Sequence, residues 1–156
     1  MKIEFEDNSI KIIAAMNERL LAAMHEAAGE IEAEAKRNTR VDSGQTKGAW
    51  SYQVRQTAEG IEAQVGNPLQ NAVWEEYGTG EYALEGNGRK GGWYVPEEKL
   101  TENAKAHMQK VYGKGGKVYY YTKGKKPQRA LEKAFTSNKK TVQTIFEKAL
   151  KGLDNG

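Results

Sequence analysis

Apolar residues recur in three- and four-residue steps at Ile13, Met16, Leu20, Met24, Ala27, Ile31 and Ala35. That spacing traces one stripe of an α-helix and predicts an amphipathic helix over residues 8–37, with Asn8 or Ser9 capping its first turn. Gly29 weakens this helix by about 1 kcal/mol relative to alanine and leaves room for a bend. The period then breaks at RNTRVDSGQTKGAW, where Asp42-Ser43-Gly44 is turn chemistry: Asp can bond the backbone two residues ahead, and Gly accepts a positive φ. Beyond the turn the pattern alternates. Trp50, Tyr52 and Val54 share one side of a strand, and Ser51, Gln53 and Arg55 share the other. Thr57–Gly60 turns the chain and Ile61, Ala63 and Val65 return it, which predicts an antiparallel hairpin ending at Gly66-Asn67-Pro68.

Six residues from Ala72 to Tyr77 fit a strand or one helical turn equally well. The stretch that follows, residues 78–92, holds six glycines, at 78, 80, 86, 88, 91 and 92, a density that argues for a mobile loop. Trp93-Tyr94-Val95 starts a strand that Pro96 stops. Thr101–Tyr112 has helical character, Gly113–Lys117 is a flexible joint, and Val118–Thr122 (VYYYT) has high strand propensity. Pro127 suits the first position of a last helix. Leu131, Ala134, Phe135, Val142, Ile145, Phe146, Ala149 and Leu153 trace its apolar stripe, and Gly152 ends it. The elements add up to an α+β fold: long N- and C-terminal helices packed on a small antiparallel sheet, in a single domain over residues 1–156.

Charge changes this picture more than composition does. Residues 1–86 carry 8 Lys+Arg against 15 Asp+Glu, and residues 87–156 carry 16 against 6, so a net charge of +3 hides a −7/+10 split. The split suits two solvated faces, or a subunit whose acidic side meets a neighbour's basic side. A basic half also raises nucleic acid as a partner. With no cysteine, disulfides and thiolate metal sites are excluded. No apolar run approaches the ~20 residues of a membrane span, and MKIEFEDNS lacks a secretory pattern, so the expectation is a soluble chain with no membrane partner.

No enzyme emerges from the candidate chemistry. Gly86-Asn-Gly88-Arg-Lys-Gly91 satisfies GxGxxG, but a dinucleotide site needs a strand before it and a helix opening within it. GKGGK lacks the spacing and the Ser/Thr of a P-loop. Glu75 and Glu76 are adjacent, so they point to opposite faces of a strand or lie about 100° apart on a helix, and only one of them faces anything specific. His25 and His107 have no spaced metal-ligand partner, the serines show no nucleophile elbow, and no cofactor is indicated. A nuclease pairing Asp42 with Glu62 lacks a lysine at Gln64. Tyr119–Tyr121 beside Lys117, Lys123, Lys125 and Lys126 looks like a stacking platform with basic flanks, although Tyr120 must face away from the other two.

Three stretches resemble one family in the same order. They are Val41-Asp42-Ser43-Gly44 with Trp50 downstream, Trp74-Glu75-Glu76-Tyr77-Gly78-Thr79-Gly80, and Lys126-Pro127 leading into Leu131 and Ala134. Together they are similar to the tail-component, or head–tail joining, family of long-tailed bacteriophages (the gene product ten-like minor structural proteins). Arg40 stands where that family has proline, and Ala130 where it often has phenylalanine. The resemblance implies a non-enzymatic virion protein of the neck or upper tail, present in the host cytoplasm during assembly. Such a protein works as a ring of identical subunits beside other neck or tail proteins. On the residues themselves, Glu75 or Glu76, with Tyr77, anchors the end of the sheet and Gly78-Thr79-Gly80 permits a tight path, while the charge asymmetry makes Lys125 and Lys126 exposed assembly cations. Arg89 and Lys90 would face DNA in a central channel. The alternative reading is a nucleic-acid-binding module built on the basic C-terminal half.

Overall fold

The computed structural model describes residues 9–12 and 18–151. These divide into two compact units, one formed by residues up to 69 and from 130 onward, the other by residues 70–129.

The first unit holds β1 (Ser9–Ile12), α1 (Glu18–Asn38), α2 (Gln45–Gly48), β2 (Ser51–Thr57), β3 (Gly60–Gly66) and α5 (Ala130–Lys151). Among the described residues the amphipathic stripe is helical from Glu18 to Asn38. Residues Ser9–Ile12 are a strand instead, because they find a partner along β3, with Ser9 opposite Gln64 and Ile12 opposite Ile61. Asn8, Ile13 and Met16 lie outside the described residues, as do Gly152 and Leu153. The hairpin forms as its alternation requires: β2 and β3 pair from Ser51–Gly66 to Thr57–Gly60, giving an antiparallel sheet in the order β1-β3-β2. Thr57 closes the turn, its Oγ1 accepting from the Glu59 N–H at 3.3 Å.

The two long helices run antiparallel. Asn38 at the end of α1 donates from Nδ2 to the Ala130 carbonyl at the start of α5, while Ala23 and Ala27 near the beginning of α1 meet Ile145. Alanines at 27, 28, 35 and 134 are fully buried, and such small side chains let backbones approach closely. One cluster joins Met24 and Ile31 of α1, Leu131 of α5, Trp50 just before β2, and Ile61 and Val65 of the sheet. Pro127 does not open α5; the helix begins three residues later, after Arg129, whose φ of 57° marks a sharp entry.

The second unit holds α3 (Gln70–Tyr77), β4 (Trp93–Pro96), α4 (Glu102–Lys105), β5 (Gln109–Tyr112) and β6 (Val118–Thr122). The 72–77 ambiguity resolves to helix. The helix expected over 101–112 is confined to one turn, capped by Thr101, whose Oγ1 accepts from the Ala104 N–H at 3.2 Å. A hydrogen bond to Glu102 in that turn holds the Lys105 ammonium pKa above its usual value. Gln109–Tyr112 is a strand because it pairs antiparallel with β6 across the Gly113–Lys117 joint, where the Gly113 N–H donates to the Lys117 carbonyl at 2.8 Å. The sheet order is β4-β6-β5, so Pro96 sits on an edge strand, where a missing N–H costs little. Long terminal helices with small antiparallel sheets make the protein α+β, as its residue pattern predicts.

Candidate functional site

Helix α3 delivers the chain into Gly78-Thr79-Gly80 against Lys123-Gly124-Lys125, which leave β6. The Thr79 N–H donates to the Lys125 carbonyl at 2.9 Å, the Lys125 N–H donates back to Thr79 Oγ1 at 2.9 Å, and the Glu81 N–H donates to the Lys123 carbonyl at 2.8 Å. Backbones meeting this closely leave no space for side chains. A Cβ on Gly80 (φ 60°) would strike the Lys123 carbonyl oxygen and lie 2.8 Å from Trp93 Cζ3. One on Gly78 (φ 76°) would lie 2.9 Å from both the Lys125 carbonyl oxygen and Pro127 Cδ. Opposite them, Gly124 faces Thr79 and Gly80 in the same way. These glycines are thus required by close approach, a reason separate from loop mobility.

The two glutamates diverge, as neighbours on a helix must. Glu75 Oε1 pairs with Lys125 Nζ, and the Glu75 carbonyl accepts from the Gln128 N–H at 2.6 Å. Its Oε2 is the buried side-chain oxygen without a hydrogen-bond partner among the described residues. Glu76 is buried, at 5% exposure. Both are engaged, then, where the sequence pointed to one. Tyr77 accepts the Leu84 N–H on its carbonyl at 2.9 Å, folding the chain back over the motif. Lys125 is correspondingly not a free surface cation, and Lys126 lies with its Nζ 5.8 Å from the centroid of the Tyr82 ring. Around this bonded frame Trp74, Tyr82 and Leu84 stand 49%, 39% and 51% exposed.

Glu75, Gly78, Thr79, Gly80, Lys125 and Pro127, drawn from two separated motifs, therefore come together in one place. Arg89 and Lys90 are exposed, and the Arg89 guanidinium lies 5.5 Å from the centroid of Trp93, whose ring borders Gly80. Asp42 and Gly44 belong to the first unit. There Gly44 (φ 81°) caps α2, and the side-chain bond two residues along the backbone is made by Ser43, whose Oγ accepts from the Gln45 N–H at 3.3 Å. Asp42 and Val41 are exposed. The loop closes where Trp50 Nε1 donates to the buried Thr39 Oγ1 at 2.8 Å, and Thr39 in turn donates to the Ala35 carbonyl. Spacing gave no sign of Gly124 or Thr39. The one available cue was a glycine set among the lysines of TKGKKP.

Among the described residues, no group of three or more His, Asp or Glu could hold a metal. No helix opens at Gly86–Gly91, so the GxGxxG lacks the amide array a pyrophosphate needs. What the geometry presents is a fixed backbone carrying exposed apolar side chains. Comparison with known proteins adds a source for that motif. The N-terminal part of the chain is similar to a phage tail component. Residues 4–78, just under half of the chain, match the family model described as "Bacteriophage HK97-gp10, putative tail-component". The matched stretch runs from before β1 through α1, the VDSG turn, the hairpin and α3 to Gly78, and it supports a structural protein of the virion. No curated protein and no solved structure matches the chain.

Proposed function

We propose that the protein joins head and tail, or completes the tail, by assembling into a ring of identical subunits at the phage neck. The observation that carries this reading is the Trp74, Tyr82 and Leu84 surface around the Gly78-Thr79-Gly80 frame. Large apolar side chains held out on a hydrogen-bonded backbone are a contact surface, and a ring needs one such patch to meet a different patch on the next subunit. The HK97-gp10-like match supports a tail component, and within that setting no chemistry is required of the site. The glycine-rich stretch after Gly80 orders against the neighbouring subunit, and the central channel passes DNA with sequence-blind contacts only.

Sedimentation velocity over a concentration series tests this with wild type and the Trp74→Ser/Leu84→Ser variant. Wild type is expected to assemble with rising concentration or with a neck partner, and the variant to remain monomeric at unchanged melting temperature. Equal assembly of both would remove this surface from the interface, and a strictly monomeric wild type under all partner conditions would remove the ring.

A further inference from the structure

The second sheet has an open face. Tyr94, Tyr121 and Gln109 align across β4, β6 and β5, with Val111 one row along. Together with Arg89, Gly91 and Gly92 they border a groove of about 820 Å³. The Tyr94 and Tyr121 rings lie 5.2 Å apart, Tyr94 is 60% exposed, and Tyr121 is fixed by donating its hydroxyl to the Gly91 carbonyl at 3.0 Å. Among the described residues no carboxylate borders the groove or pairs with Arg89 or its exposed neighbour Lys90; Glu81 stands behind the rim, accepting from the Gly91 N–H at 3.3 Å and paired with Lys123. The lining is mixed, and an occupant that suits it lays apolar side chains on the Tyr94 and Tyr121 rings and is anionic toward Arg89.

The chain contains such a segment. Residues 3–7, outside the described residues, read Ile-Glu-Phe-Glu-Asp. In extended form Ile3 and Phe5 fall on one side and Glu4 and Glu6 on the other, and five residues span roughly 16 Å. We infer that the groove between Arg89 and Tyr121 receives residues 3–7 of a second copy, Ile3 and Phe5 lying on the tyrosines and Glu4 and Glu6 meeting Arg89 and Lys90. This rests on the ring reading for its second copy and names a contact that reading lacks. A heterologous arm of this kind leaves each subunit as donor to one neighbour and acceptor to the other.

A charge-swap cycle on the full chain tests it, read by sedimentation equilibrium with thermal melting as the folding check. Glu4→Lys/Glu6→Lys and Arg89→Glu/Lys90→Glu should each weaken self-association by about tenfold, and the four changes together should regain most of it. A synthetic peptide of residues 1–8 added to the full chain should shift the NMR resonances of Tyr94 and Tyr121. Self-association unchanged by Arg89→Glu/Lys90→Glu overturns the arm site and leaves the ring standing. A monomeric chain whose tyrosines still respond to the peptide supports the arm site and contradicts the ring; a monomer with no response overturns both. Binding of a single-stranded oligonucleotide at these tyrosines, with no response to the peptide, reassigns the groove to nucleic acid and overturns the inference.

Discussion

At Gly80 the backbone sits at φ 60° and the space a Cβ would take is filled by the Lys123 carbonyl and Trp93. Gly80→Ala combines left-handed strain with a backbone collision, so it should cost the second unit at least about 2 kcal/mol. Hydrogen exchange at the Thr79, Glu81 and Lys125 amides would report it. Gly86→Ala, at φ 68° but facing open space, should cost only about 1 kcal/mol and leave those amides protected. Trp50→Phe loses the indole bond to Thr39 while keeping an aromatic ring, and a denaturant titration should show a loss of about 1–2 kcal/mol. Neither Gly124 nor Thr39 was legible in the sequence, because each acts on a partner placed by the fold. Gly78 and Gly80 were legible as a tight path, though the identity of what they approach was not.

Elements were readable where their period was long and their partner local. The β2–β3 hairpin, Val118–Thr122 and the body of both long helices follow directly from alternation or a 3.6-residue stripe. Boundaries failed where strand pairing decided them. Ser9–Ile12 falls within the helix expected over residues 8–37 yet pairs with β3, and Gln109–Tyr112 follows a capped turn yet pairs with β6. Three-residue steps cannot reveal a strand whose partner lies fifty residues away. Within α5, Leu131 is fully buried against α1 and the sheet, so Leu131→Ala should destabilise the first unit by about 2–5 kcal/mol in thermal or chemical unfolding. Phe146 is only partly buried, and Phe146→Ala should cost less than Leu131→Ala.

For the whole molecule, charge must be counted by unit as well as by position along the chain. Residues 70–129 carry 11 Lys+Arg against 7 Asp+Glu, and the remainder carries 13 against 14. The −7/+10 split of the sequence halves thus becomes +4 and −1, since the acidic first helix and the basic last helix pack in one unit. Lys125 and Lys126 also separate in role. Lys125→Glu sets a second carboxylate against Glu75 and should destabilise the second unit itself, whereas Lys126→Glu should leave melting within about 1 kcal/mol of wild type and act on assembly. The tail-component match ends at Gly78, where the frame of the surface proposed to assemble begins, and of that surface's exposed side chains it includes Trp74. Electron microscopy of the purified protein, concentrated alone and with other phage structural proteins, tests the ring reading most directly. Closed rings of identical subunits with Trp74 and Leu84 at the subunit boundary are the predicted result; monomers throughout, or rings with both residues facing solvent, would contradict it.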